Sequence, residues 1–269
     1  MSTVNAWVPG WPAWWASAKV HGRVVGALVL REVITRYGRS GLGSLWLVLE
    51  PMIFTLVFTA FWTLARLDTV SDLPIVAFSI TGWMSFLMWR NAASRCLNAI
   101  EANKSLYYHR NVRVLDIFTS RIVLEIMGST AAFALLMGLL NLLEFMAWPA
   151  DWLTVLLAWF YLCWFALCLG FLVGALSHLS ENFTIFWRII SIALMLMSGK
   201  FFMVHWLPPA AQEVVLWLPM VHGLEMLRQG YWGDLVPTYH DVGYMIKANL
   251  FLMLMGLALQ KIAERKVDE

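Results

Sequence analysis

The sequence predicts an all-α integral membrane protein with six transmembrane helices, an N-terminal interface helix and an external re-entrant helical hairpin before the last span. Three observations predict it. Of 269 residues 61 % are hydrophobic and only 13 % charged, against roughly 45–50 % and about 25 % in soluble domains. The apolar residues gather in charge-free runs separated by short basic stretches. The 16 Trp and 16 Phe suit a chain with two membrane–water interfaces, where amphipathic rings settle. The resulting organisation is a Trp-rich segment and interface helix over 1–45, a six-span domain over 46–262 and a cytoplasmic tail over 263–269.

Residues 16–36 read as a helix whose longest apolar run, 24–30, is too short to cross. Its charges fall on all sides, as expected of a helix lying at the membrane surface and packed against protein. The first charge, Lys19, follows Trp7, Trp11, Trp14 and Trp15. A secretory signal has the opposite order, so no cleaved leader is expected. Charge-free runs over 51–65, 73–89, 126–143, 152–177, 189–199 and 248–260 extend with their flanks to spans of about 46–65, 73–97, 118–145, 152–177, 183–204 and 242–262. The fifth run has 11 residues, where about 20 are needed. It crosses if Arg188 and Lys200 snorkel to opposite interfaces. Within 207–233, Pro208 and Pro209 start one short helix and Pro219 another, which Gly230 ends. Each has about 10 residues, or ~15 Å, which is half a bilayer core. The segment is a re-entrant hairpin or, alternatively, two helices lying flat.

Basic residues set the orientation. Lys19, Arg23, Arg31, Arg36, Arg39, Arg90, Arg95, Lys104, Arg110, Arg113, Arg121, Arg188, Lys261, Arg265 and Lys266 fall on one side of a six-span arrangement. Arg66, Lys200, Arg228 and Lys247 fall on the other. The positive-inside rule puts the first set, and with it both termini, in the cytoplasm.

Several functions are excluded. No Gly-x-x-x-x-Gly-Lys-Ser/Thr loop is present, so ATP has no phosphate cradle here. The sequence offers no catalytic residue: a His-Glu-x-x-His pattern, a Gly-x-Ser-x-Gly elbow and acidic or His pairs inside spans are all missing. It offers no metal ligands either, since Cys163 and Cys168 point about 140° apart on a helix. Cys96 joins them as a buried hydrophobe. No charge occupies the central part of a span, where ion-coupled carriers keep one despite a cost of roughly 2.5–3.5 kcal/mol. A net charge of +2 calls for no nucleic acid. Gly170-x-x-x-Gly174 reads as a helix-packing motif.

Two groups are candidates for ligand contact. Phe54, Phe58, Phe61 and Trp62 follow helical spacing in span one, with Phe78, Phe86 and Trp89 in span two. Such rings face lipid, pack together, or line a polysaccharide path by stacking on sugar C–H faces. Arg31, Arg36 and Arg39, with Gly38, Gly41 and Gly43, stand before span one. Their guanidinium forks suit an anionic lipid-linked head group; the alternative is that they fix topology or pair with a partner's acids.

Arg31-Glu32-Val33-Ile34-Thr35-Arg36-Tyr37-Gly38-Arg39-Ser40-Gly41-Leu42-Gly43-Ser44-Leu45-Trp46, then Leu49-Glu50-Pro51, resembles the approach to span one in type-2 ABC exporters of polysaccharide. Ala99-Ile100-Glu101-Ala102-Asn103-Lys104-Ser105-Leu106, on through Arg113, Asp116 and Arg121 to Glu125, resembles the cytoplasmic loop of the capsule branch, the KpsM-like permeases. Trp217-Leu218-Pro219-Met220-Val221-His222-Gly223-Leu224-Glu225, with Arg228, resembles their external segment before the last span. Val114 stands where these permeases often have Pro, Leu218 where Asn is usual, and Lys200 in a normally apolar stretch.

The resemblance implies a homodimer working with two ATP-binding cassette subunits, which use ATP and Mg; this chain needs no cofactor of its own. It implies export of lipid-linked capsular polysaccharide through a Gram-negative inner membrane, continued by a periplasmic adaptor and an outer-membrane polysaccharide export protein. Spans one and five would line the channel, through Phe54, Phe58, Phe61, Trp62, Phe186 and Trp187. Glu101, Asn103, Lys104, Ser105 and Arg113 would couple to the ATPase, Arg31, Arg36 and Arg39 would receive substrate, and Pro219, His222, Glu225 and Arg228 would form the external segment. Alternatives are an O-antigen or teichoic-acid exporter, an ion-coupled carrier and a structural membrane scaffold.

Overall fold

The computed structural model describes residues 11–38, 41–64, 73–104, 112–180 and 182–268, and their regular structure is helical throughout. Arg39 and Ser105 lie outside the described residues. Helix α1 (Trp11–Tyr37) ends at Gly38, whose φ of +81° suits a residue without Cβ. Then follow α2 (Gly41–Leu64), α3 (Ile75–Arg95), the short α4 (Ala99–Ala102), α5 (Val114–Leu142) and α6 (Trp152–Leu179). The chain closes with α7 (Phe183–Met197), α8 (Pro209–Val215), α9 (Pro219–Trp232) and α10 (Val242–Asp268).

Side-chain contacts give the helix directions. Trp62 of α2 stacks on Phe78 of α3 while Thr55 bonds Met84, so the two are antiparallel. Arg121, near the start of α5, reaches the carbonyl of Arg95 at the end of α3. The amide of Asp151, just before α6, bonds Gly230 of α9. Trp187 of α7 bonds Ser94 near the end of α3, and Asp241 before α10 bonds His222 of α9. Thus α2, α3, α5, α6, α7 and α10 run alternately between an end marked by α1 and an end marked by α9.

Four helical stretches are long and apolar enough to cross a membrane: Leu45–Leu64, Val114–Leu142, Trp152–Leu179 and Val242–Arg265. Helix α3 has 21 residues but more polar ones, and α7 has 15. The glycine pair of α6 packs as expected. A Cβ at Gly170 would stand 2.6 Å from Ile122, and one at Gly174 would stand 2.8 Å from Phe118. The core forms around α3, where Met84, Met88 and Trp89 are fully buried against α5 and α6.

Three local expectations are corrected. Helix α7 stops at Met197 rather than continuing to 204, because Ser198 and Gly199, with φ +81°, turn the chain. Lys200 therefore does not snorkel outward; it folds inward and is 3 % exposed. Pro209 and Pro219 do start helices, but Gly230 does not end α9, which runs to Trp232 and closes at Gly233 with φ +62°. Gly230 instead lets α9 approach the backbone of α6, since a Cβ there would stand 2.7 Å from the Val155 nitrogen.

Candidate functional site

At the α1 end, charged side chains tie α1 to the bundle. Arg36 Nε donates to Glu32 Oε1 one turn back at 2.9 Å, and its Nη1 pairs with Glu125 of α5. Arg95 of α3 meets the same Glu125 at 3.2 Å, and Arg121 meets Glu32 at 3.5 Å. Burial works against the Arg36 charge, but Glu125 and Glu32 outweigh it and raise its pKa above the usual arginine value. His21 pairs with Asp116, which also accepts from the Arg113 amide in a capping box that starts α5.

Two sequence-selected groups meet here. Arg31, exposed, donates to Asn103 Oδ1 at 2.9 Å. Asn103 is buried and its amide also donates to the Ala99 carbonyl, so its polar atoms serve the chain's own fold. Glu101, Lys104 and Arg113 are exposed. Asn98, with φ +52°, turns the chain ahead of α4.

The aromatic residues divide. Phe54, Phe61 and Phe186 are exposed, whereas Trp187 is buried on Ser94. Phe58 and Trp62 belong to a ring cluster that sequence reading did not assemble. Phe58 stacks on Trp83 at 4.1 Å, Trp62 on Phe201 at 5.8 Å, and Phe78 on Trp206 at 5.3 Å. The contributing residues come from α2, α3 and the segment after α7; the sequence picked out Phe58, Trp62 and Phe78 as candidates, whereas Trp83, Phe201 and Trp206 were missed.

At the α9 end, His222, Glu225 and Arg228 recur every three residues on one buried face, and Pro219 opens the helix. Arg228 Nη1 donates to the carbonyls of Gly199 at 2.8 Å and Phe202 at 2.7 Å, and Nη2 reaches that of Lys200 at 3.4 Å. Its guanidinium also lies 4.0 Å from the Phe78 ring centre. Glu225 accepts from the Val204 and Tyr239 amides, each at 3.2 Å. His222 accepts from the Asp241 amide at 2.9 Å, which leaves its Nε2 to donate to the Leu216 carbonyl at 2.8 Å. The selected external residues are therefore what holds this irregular segment together. Among the described residues no group of His, Cys, Asp or Glu is placed to hold a metal ion.

These features, six alternating helices with a surface helix at one end and broken helices at the other, can be set against known proteins. Residues 23–232 match the ABC-2 type transporter family. The chain belongs to that family. As an ABC-2 type chain it is 44 % identical to the capsule polysaccharide export inner-membrane protein BexB of Haemophilus influenzae over 94 % of its own length and 95 % of that protein's. It is 45 % identical to the protein of the same description, CtrC, of Neisseria meningitidis serogroup B, over 92 % and 93 %. The polysialic acid transport protein KpsM of Escherichia coli is 27 % identical over 89 % and 93 %.

Proposed function

We propose that this ABC-2 type chain is the membrane-spanning subunit of an exporter that moves lipid-linked capsular polysaccharide across the inner membrane. The observation that carries this reading is the end-to-end likeness to two capsule polysaccharide export proteins at 44–45 % identity. In this reading the six alternating helices are the six spans, the α1 end is cytoplasmic, and α8 and α9 form a re-entrant hairpin on the external side. Two copies pair through the exposed faces of α2 and α7, which carry Phe54, Phe61 and Phe186. Two separate ATP-binding cassette subunits supply the energy, hydrolysing ATP with Mg against Glu101, Lys104 and the segment that follows. A periplasmic adaptor and an outer-membrane export protein take the polymer onward.

The bond from Arg31 to Asn103 supports a direct mechanical link between these functions. Arg31, still exposed, attracts the phosphate at the polymer's lipid end, together with Arg39. The Arg36 fork is committed to Glu32 and Glu125, so Arg36 acts by holding α1 in place. When the ATPase moves α4, the hydrogen bond that Asn103, next along the chain, accepts from Arg31 carries the displacement to α1 and to the substrate held there.

The test is complementation. In a capsule-negative strain lacking BexB or CtrC, this chain together with its own cassette subunit restores surface polysaccharide. Substitution of the cassette subunit's catalytic glutamate abolishes it. Surface polysaccharide that persists with the inactive ATPase and collapses with a protonophore would instead establish an ion-coupled carrier.

A further inference from the structure

Lys200 differs from every other buried cation described above. Its ammonium lies 3.6 Å from the ring centre of Trp83, 4.0 Å from Phe86, 4.4 Å from Phe201 and 5.8 Å from Phe58. Its Nζ is buried without a hydrogen-bond partner, and so is the indole Nε1 of Trp83 in the same cage. Among the described residues no carboxylate stands within ion-pair distance of it. A second cation, Arg90, lies 5.9 Å from the centre of Phe86. The position is deep: the Lys200 carbonyl is 2.8 Å from where a Cβ of Gly82 would stand, and the ammonium reaches on toward Trp83 and Phe86, near the midpoint of α3.

Rings attract a cation electrostatically, but they offer an ammonium none of the lone pairs its three N–H groups need. A buried charge without an acceptor costs free energy that a hydrophobic residue of the same size would not. The unmade bonds are all donors, and the acceptor that suits an ammonium best is a charged one. The surroundings specify its carrier. Phe58, Trp83 and Phe201 are half-buried rings around a buried ammonium, and ring faces stack on the C–H faces of a pyranose. A sugar with a carboxylate at its ring edge meets both requirements together, charge on Lys200 and C–H face on the aromatics. Phe201 follows the helix break at Gly199, and its ring covers one side of the ammonium at 4.4 Å.

We propose that Lys200, with Trp83, Phe86, Phe58 and Phe201, forms a binding site for a carboxylate-bearing sugar residue of the exported polymer, part-way along the path. This rests on the export reading and adds to it a contact site made by named side chains of this chain.

The experiment measures binding of tetragalacturonate and of its carboxyl-reduced, neutral counterpart to the purified full chain in nanodiscs. The wild type is expected to prefer the acidic oligomer about tenfold, the effect of one charge-assisted hydrogen bond. Lys200→Met abolishes the preference while eluting as the wild type does, and Lys200→Arg keeps part of it, because a planar fork replaces a point charge. Equal binding of the two oligomers by the wild type overturns the site without any variant being needed, as does a preference that survives in Lys200→Met. The export reading fails separately. A chain that prefers the acidic oligomer but never restores surface polysaccharide keeps the site and loses that reading, whereas one that restores it with no preference loses only the site.

Discussion

At the α1 end, Arg36 and Arg95 reach across from one regular helix to another and meet the carboxylate of Glu125. At the α9 end, Arg228 meets backbone carbonyls, Glu225 meets backbone amides, and Lys200 meets rings. The difference follows the state of the backbone. A continuous helix satisfies its own peptide groups, so its side chains are free to pair with one another. Where α7 breaks at Ser198 and the chain turns through Gly199, carbonyls lose their helical donors. Away from bulk water they need new ones, and Arg228 is that donor. One end is fastened side chain to side chain, the other side chain to main chain.

Arg228→Met tests this contrast most severely. Two well-formed bonds to carbonyls disappear, and each buried unsatisfied group costs about 1–3 kcal/mol. A loss of about 3 kcal/mol or more is expected, read as a fall in thermal midpoint in detergent. An unchanged midpoint would mean that those carbonyls reach water. Glu125→Ala comes next at about 2 kcal/mol, below the full cost of breaking a buried pair because Arg95 is partly solvated. It should act locally, with faster proteolysis within α1 and little change at α9.

Glycine substitutions sharpen the same distinction at a smaller scale. Gly230→Ala drives a Cβ into the Val155 main chain and should cost about 1–3 kcal/mol. Gly170→Ala clashes with the Ile122 side chain, Cδ1 at 2.6 Å and Cγ1 at 2.7 Å, and not with main chain, so its midpoint should fall less. The smallest effect is expected at Asp151, the N-cap of α6. The Thr154 hydroxyl and the Leu153 amide hold its carboxyl below the usual carboxylate range. A depressed carboxylate contributes stability above its unfolded pKa and loses it as pH falls through the folded one. Asp151→Asn keeps the acceptor and should flatten the fall in midpoint between about pH 5 and pH 2.

The parts of this molecule that sequence could reveal are those written locally. The charge-free run 152–177 became Trp152–Leu179, with Asp151 capping it, because one acid and an unbroken apolar stretch specify both ends. Pro209 and Pro219 marked their helix starts through fixed φ and a missing N–H. The early stop of α7 was hidden, because the left-handed turn at Gly199 carries no mark beyond one glycine in an apolar stretch. The site was less legible still. Glu125 is 89 residues from Arg36, and nothing in either neighbourhood names the other. The rings around Lys200 come from three separate segments; helical spacing picked out Phe58 and Phe86 as candidates, but nothing local joins them to Trp83, Phe201 or the lysine. Lys200 itself was visible as out of place, but only the fold shows that it points inward.

The early stop of α7 also bears on the depth of apolar material beside this helix. Fifteen residues make a rod of ~22 Å, against a hydrocarbon layer of ~30 Å. Beyond its tip stand the Gly199, Lys200 and Phe202 carbonyls, held by Arg228. Field lines from a charge there end on fixed dipoles instead of methylene groups. A charge brought alongside this helix would meet an apolar rod about a quarter shorter than the hydrocarbon layer, and the electrostatic barrier narrows on that side.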